Sequence, residues 1–276
     1  MTVAFVLGGG GVRGAVEVGM LRALIETGVK PDLVVGTSIG AINGTAIAAD
    51  PTTSVIDTLE RAWSSDAAGA IYGEWWPRQL RRLAKSRTHL NSAEPLRRLL
   101  EDFVGERARF EDLPVTLAVC AASIERAAET WFDSGPLIDP VLASCSVPAA
   151  LPPVEIDGEH YVDGGVVNSI PLSEAIRRGA TTVFVLQVGR IEEPLKPPET
   201  PADVAKVAFE ISRRHRFFRD RDEVPEHVDL HILPSGGSQP GDEKLGAFRS
   251  MEHTHRRIEA AYDATAAYLR DAGVAS

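Results

Sequence analysis

The stretch Val3-Ala4-Phe5-Val6-Leu7-Gly8-Gly9-Gly10-Gly11-Val12-Arg13-Gly14 decides the fold class, because a five-residue apolar run breaks into four consecutive glycines. Beyond it, Val16, Gly19 or Met20, Ala23 or Leu24, and Thr27 fall on one helical face, and Gly28 is placed to end that helix. The stretch therefore reads as strand, glycine loop, helix. The plan repeats at once: Leu33 to Val35 is a brief strand, Gly36-Thr37-Ser38-Ile39-Gly40 a sharp turn, and Ala41 to Ala49 a small-residue helix that stops before Pro51. Further strands are expected at Val115 to Ala121, Thr130 to Phe132, Val183 to Val188 and Asp229 to Leu233, with helices between most of them. Such alternation predicts an α/β sheet covered by helices on both faces.

The two glycine segments also carry chemistry. A serine hydroxyl is a weak nucleophile until it is held out of its helix, aimed at the substrate and relieved of its proton. In Gly36-x-Ser38-x-Gly40 the serine would sit on a strained strand-to-helix corner, with glycines where a Cβ would clash. The N–H after the serine and the helix N-terminus favour developing negative charge. Gly9, Gly10 and Gly11 offer amides that no side chain obstructs, as an oxyanion hole requires. Gly9-Gly10-Gly11-Val12-Arg13-Gly14 also satisfies the G-x-G-x-x-G spacing of a dinucleotide fold. That reading wants an acidic residue at the end of the next strand. Here Asp32 precedes the strand and Ser38 follows it, so the strand end offers a nucleophile. A serine hydrolase is the first reading, and a nucleotide-binding protein that holds phosphates in the glycine loop is the alternative. Arg13 is read either as a cation for an anionic head group or as a solvated side chain.

Composition bounds these readings. The chain has 276 residues, 44% of them hydrophobic, and a formal net charge of -10; its pI is about 5.2 and its mean hydropathy -0.06. An acidic chain of this kind is not suited to sequence-independent nucleic-acid binding, nor is it drawn as a whole to anionic membranes. Cys120 and Cys145 lie among apolar and small residues and read as buried reduced thiols. No basic-then-apolar leader opens the chain, and no stretch approaches the roughly 18 apolar residues of a membrane span. A cytoplasmic protein with transient contact at a membrane surface is expected.

A third segment completes the set. Ile156-Asp157-Gly158-Glu159-His160-Tyr161 has hairpin character with Asp157-Gly158 as its turn, which would deliver Asp163 of Asp163-Gly164-Gly165 at a strand end. Together, Gly9 to Gly14, Gly36 to Gly40 and Asp163 to Gly165 resemble, in order, the oxyanion-hole, nucleophile-elbow and aspartate motifs of the patatin-like phospholipases. The resemblance covers roughly Val3 to Gly189 and takes in Ala143-Ser144-x-x-x-Pro148 and Asn168-x-x-Pro171. It implies a three-layer α/β/α fold with a mostly parallel sheet. It also implies a lipid acyl hydrolase with a Ser38–Asp163 dyad, an oxyanion hole at Gly9, Gly10 and Gly11, support from Arg13, Gly14, Gly36, Gly40, Gly164 and Gly165, and no metal or organic cofactor. Phospholipid or lysophospholipid is the expected substrate class, with a neutral-lipid ester or a thioester as the nearest alternative. Residues 191–276 inherit little from the resemblance and are expected to pack as an extension of a single domain spanning 1–276.

An aspartate of ordinary pKa, about 3.9, is a feeble base, so burial would have to raise it or the oxyanion donors would have to carry much of the barrier. The competing triad has seven histidines to draw on, and His231, at the end of an expected strand after Asp163, matches a Ser, Asp, His order. A plain strand histidine is the alternative for it. Arg213, Arg214, Arg216, Arg219 and Arg221 alternate with His215, Phe217 and Phe218; they read as a solvated helix with acidic neighbours, or as an interfacial face meeting lipid phosphates. Asp66 to Asn91, loose in composition around Trp75 and Trp76 and then basic, is read as a lid. Leu245, Phe248, Met251, His255, Ile258, Tyr262, Thr265 and Leu269 have the spacing of one packed face of a long closing helix.

Overall fold

The computed structural model describes residues 1–64, 89–188, 191, 194–199, 201–237 and 251–274. Among these the strands are β1 (Val3–Leu7), β2 (Leu33–Thr37), β3 (Thr116–Ser123), β4 (Ala128–Phe132), β5 (Val154–Ile156), β6 (Glu159–Asp163), β7 (Thr182–Leu186) and β8 (Asp229–Ile232). The α-helices are α1 (Ala15–Glu26), α2 (Ile39–Ala49), α3 (Thr53–Ser64), α4 (Glu94–Val104), α5 (Ile138–Ser144), α6 (Leu172–Arg177), α7 (Pro201–Asp222) and α8 (Met251–Asp271). The strands form one sheet in the order β5-β6-β3-β2-β1-β7-β8, with β4 paired to β3. The run β3-β2-β1-β7-β8 is parallel, and β4, β5 and β6 add antiparallel pairs at one end.

The central strands are apolar on both faces because helices cover both. Phe5, Leu7, Val34, Leu117, Val119, Phe184 and Leu186 belong to a core shared with α1 to α5 and α8. Their neighbours Ala4, Val6, Leu33, Val35, Val183 and Val185 pack on the opposite side with Leu172 and Ala175 of α6 and Phe217 of α7. The result is the expected three-layer α/β/α arrangement, built by period-two alternation along each strand.

Two expectations are corrected here. On α8, Ile258, Thr265 and Leu269 are buried as expected, but His255 is exposed and His253, Thr254, Arg257 and Ala261 join the seam instead. Leu245 and Phe248 lie outside the described residues, as does most of the expected lid, 66–88. The arginine-rich helix α7 is not simply solvated: Phe217 is fully buried and Arg213 is 4% exposed. Its other arginines do meet acidic partners, as with Arg216 to Asp220 and Glu129, and Arg221 to Asp222.

The register of β3 fixes where the candidate site forms. Residues Val119 and Cys120 carry β2 on one edge and β4 on the other, while Ala121 to Ser123 carry β6 opposite the continuation of β4. β2 and β6 therefore share one edge of β3 and run toward each other along it. β2 ends at Thr37 opposite Cys120, and β6 ends at Asp163 opposite Ala121. The residue after Thr37 is Ser38, so pairing alone brings the serine and the aspartate face to face.

Candidate active site

Ser38 stands between β2 and α2 with φ 56° and ψ -124°, the left-handed side of backbone space that a residue with a Cβ rarely adopts. The corner is held from several directions. A Cβ on Gly40 would lie 2.3 Å from the Leu7 carbonyl oxygen, so the first turn of α2 seats on β1 only with glycine there. The Ser38 N–H donates to Ser144 Oγ at 2.8 Å, and its carbonyl accepts from the Ala41 N–H at 2.8 Å and from Cys145 Sγ at 3.1 Å. Thr37 Oγ1 donates to the Asn168 carbonyl at 2.9 Å, tying the strand end to the segment after Asp163.

Ser38 Oγ donates to Asp163 Oδ2 at 2.6 Å, and both residues are buried. Asp163 ends the hairpin whose turn, Asp157-Gly158, takes positive φ at both residues, as a tight two-residue hairpin requires. Its other oxygen, Oδ1, accepts from the Gly165 N–H at 2.7 Å in the 3-10 turn Gly164–Val166, and its own N–H is bound by the Ser146 carbonyl. Burial raises the Asp163 carboxyl to about 6, even though the Ser38 and Gly165 hydrogen bonds pull the other way. Desolvation thus makes this carboxylate more basic than an ordinary aspartate.

The glycine loop lies alongside. Gly8 N–H donates to Leu186 O and Gly9 N–H to Ser169 O at 2.7 Å. Gly9 was expected to furnish an oxyanion donor, but its amide is spent on Ser169. Among the described residues the Gly10 and Gly11 N–H groups have no such backbone partner. A Cβ on Gly9 would approach Ser38 Cβ to 3.3 Å, which places the loop against the serine. Gly10 is packed so closely that an added Cβ would stand 1.8 Å from Val188 Cγ2. Arg13 and Gly14 close the loop in a 3-10 turn, Gly11–Gly14. Asn43 Nδ2 donates to the Gly14 carbonyl at 3.0 Å and to Glu17 Oε2 at 2.7 Å, and Trp63 Nε1 donates to Asn43 Oδ1. Full burial holds the Glu17 carboxyl well above its usual range, against the pull of Asn43.

His231 and His160 stand elsewhere. His231 stacks on Phe184, with ring centroids 4.7 Å apart, and its ring nitrogens meet Tyr268 Oη and Asp229 Oδ2, each at 3.1 Å. β8 is separated from β2 by β7 and β1, so His231 is a strand histidine and not a partner of Ser38. His160 is exposed and paired with Glu125. Cys120 and Cys145 are free and buried, and desolvation holds both thiols well above their usual range. Among the described residues, no group of three or more His, Cys, Asp or Glu is placed to hold a metal ion, and no helix is long and apolar enough to cross a membrane.

Sequence reading missed three contributors. Ser144 and Ser169 flank the serine and the loop; Ser144 carried a signal, in the Ala-Ser-x-x-x-Pro stretch, and Ser169 carried none. Arg213, whose Nη1 donates to the Gly9 carbonyl at 3.0 Å, reaches the loop from 204 positions away.

A family model described as "Patatin-like phospholipase" matches residues 5–176. The patatin-like phospholipase domain-containing protein ZK370.4 of Caenorhabditis elegans is 35% identical over 193 residues, 69% of this chain and 14% of that protein. Lysophospholipase NTE1 of Candida glabrata is 29% identical over 230 residues, 83% of this chain and 13% of that protein. The chain thus spans about one-seventh of the length of these relatives. Among solved structures, VipD from Legionella pneumophila covers 98% of this chain and 67% of its own, at 14% identity and a TM-score of 0.47. Since the matched segment runs unbroken through the glycine loop, the Ser38 elbow and the hairpin that ends at Asp163, the chain belongs to the patatin-like phospholipase family.

Proposed function

We propose that this chain is a serine acyl hydrolase that cleaves acyl esters of lipids, with Ser38 as nucleophile and Asp163 as its base. The observation that carries the reading is the 2.6 Å hydrogen bond from Ser38 Oγ to a buried carboxylate whose pKa is about 6. Near neutral pH such a carboxylate is mostly ionised yet basic enough to take the hydroxyl proton as Oγ attacks the acyl carbonyl. The carbonyl oxygen then gains negative charge, which the Gly10 and Gly11 N–H groups and the N-terminus of the 11-residue helix α2 stabilise. Asp163 returns the proton to the departing alkoxide, leaving acyl-Ser38. Water, deprotonated by Asp163, attacks the acyl carbon, and collapse of the second tetrahedral intermediate releases the fatty acid and restores the serine.

The family, and relatives named lysophospholipase, support a lipid acyl-ester substrate. Lysophospholipid is the leading substrate and diacyl phospholipid the second. The purified protein is to be offered lysophosphatidylcholine, phosphatidylcholine, triacylglycerol and acyl-thioester, and free fatty acid measured. Faster release from the lysophospholipid than from the other three is expected, and release only from the thioester would overturn the lipid-ester reading. Nucleotide binding in the glycine loop is disfavoured by the strand end after β2, which presents Ser38 in place of the acidic residue that a ribose would need.

The loop prediction follows from its packing. Gly10→Ala is expected to lower kcat by about 100-fold or more, because the new methyl must push the Gly10 amide away from Val188 and out of line with the oxyanion. The KM should change by less than about threefold, since the lost interaction belongs to the transition state. Adding Val188→Ala makes room for the methyl and should recover about tenfold of the loss. Steady-state kinetics on one soluble p-nitrophenyl ester measure all three proteins, and a double variant no better than the single would count against the packing argument.

A further inference from the structure

Helix α7 carries five arginines between positions 213 and 221, and each meets a carboxylate of Glu210, Glu129, Asp220 or Asp222. Arg213 is different. It is 4% exposed, its Nη2 meets Glu210 Oε2 at 3.2 Å, its Nε has no partner among the described residues, and its Nη1 donates to the Gly9 carbonyl at 3.0 Å. Desolvation lowers the pKa of this guanidinium, partly offset by Glu210 and reinforced by the neighbouring charge of Arg214. Burying a guanidinium is costly, and packing alone does not need it: Phe217, one turn on, fills its own site with no charge at all.

The carbonyl that Arg213 holds belongs to the Gly9–Gly10 peptide, the same planar unit that carries the Gly10 N–H. Among the described residues there is no cis peptide bond, so C=O and N–H of this unit point in opposite directions. A donor that pins the oxygen toward α7 therefore aims the N–H away from α7. A cation on the oxygen also polarises the amide and strengthens its N–H as a donor. On the other side, Ser169 O holds the Gly9 N–H, so Gly9 is fixed at both of its polar groups and Gly10 is the first amide left to serve a ligand.

We infer that Arg213 is a positioning residue for the oxyanion hole: through the Gly9–Gly10 peptide it orients and polarises the Gly10 N–H toward the acyl oxygen. This rests on the hydrolase reading above. It assigns a part in the chemistry to residues outside the 5–176 family match, on a helix whose arginines look alike in sequence.

The test uses the full chain, Arg213→Met and Arg213→Lys, with a soluble p-nitrophenyl ester and an alkyl trifluoromethyl ketone labelled with ¹³C at its carbonyl. The ketone adds to Ser38 as a hemiketal, and the ¹³C shift followed against pH reads the pKa of the hemiketal hydroxyl, which an oxyanion hole depresses. Arg213→Met is expected to lower kcat by about 10- to 100-fold with KM within about threefold, and to raise the hydroxyl pKa by about one to two units. Arg213→Lys keeps a buried cation with a shorter reach and should fall between wild type and Arg213→Met on both measures, which keeps the test alive if the methionine variant does not fold. A role confined to packing would lower the melting temperature and leave the hydroxyl pKa where it was. An unmoved hydroxyl pKa in every folded variant, or kcat within threefold of wild type in every folded variant, overturns the inference. Absence of a Ser38-dependent adduct in the wild type overturns the hydrolase reading first, and the inference with it.

Discussion

Ser38→Ala is expected to cut ester turnover by about 10⁴-fold or more and to abolish covalent labelling by a fluorophosphonate, with the fold retained. The turnover loss is large because, among the described residues, Ser38 carries the one side-chain hydroxyl that hydrogen-bonds Asp163. Ser144 is close, but its Oγ already accepts the Ser38 N–H, and the aspartate's two oxygens face Ser38 and Gly165. The fold should survive because the strained corner is held by backbone contacts that alanine keeps: the Ser38 amide to Ser144, its carbonyl to α2, and Gly40 against β1. p-Nitrophenyl ester kinetics and mass spectrometry of the labelled protein measure the two effects. A folded Ser38→Ala that still turned over ester at near wild-type rate would falsify the assignment of the nucleophile.

Asp163→Asn should bring hydrolysis down to a level close to that of Ser38→Ala, because the amide keeps the shape but has no basic oxygen to take the proton. His231→Ala should keep most of the activity while losing stability, since it removes the stacking on Phe184 and the contact with Tyr268. Equal activity loss in both variants would restore a triad. The same carboxylate sets the pH behaviour. Its pKa is raised from 3.8 to about 6 in the folded protein, so kcat/KM should rise with pH through about 6 as the base ionises. A rising limb at that pH therefore does not diagnose a histidine, and the pair of variants is the deciding experiment. Stability runs the other way. The folded chain holds the Asp163 proton more tightly than the unfolded chain does, so stability is full below about 4 and falls as pH rises through about 6, by on the order of 3 kcal/mol. Asp163→Asn should accordingly melt at a higher temperature than wild type at pH 8, and this difference should vanish near pH 4. Wild-type activity with a higher melting temperature would separate the two roles and reject Asp163 as the base.

Much of this site is readable from residue types alone because its parts depend on local backbone. A glycine run after an apolar strand, a serine flanked by glycines at a strand-to-helix corner, and an Asp-Gly turn each require a particular residue at a particular place, whatever lies beyond. The strands β1, β2, β3, β7 and β8 were legible for a similar reason, as apolar runs between breakers. Their ends were less so: β2 continues to Thr37, because the elbow begins only where φ turns positive at Ser38. The helix α8 was legible in its spacing, but His255 was set on the wrong face, because which side of a helix is buried depends on what it packs against.

What the sequence by itself determined is the local chemistry: the α/β plan, the elbow that carries Ser38, the loop that frees amides, and the hairpin that ends in Asp163. Only the tertiary structure decided which of these groups act on each other. β3 sets β2 and β6 end to end on one edge, which gives the 2.6 Å Ser38–Asp163 bond, and burial at that junction gives the carboxylate its basicity. Ser169 removes Gly9 from the donors, and Arg213 reaches the loop from another helix. The physical reason is the range of the interactions involved. Backbone strain and turn geometry act between neighbours in the chain, whereas desolvation, hydrogen-bond competition and the placing of a buried charge depend on groups that folding alone brings together.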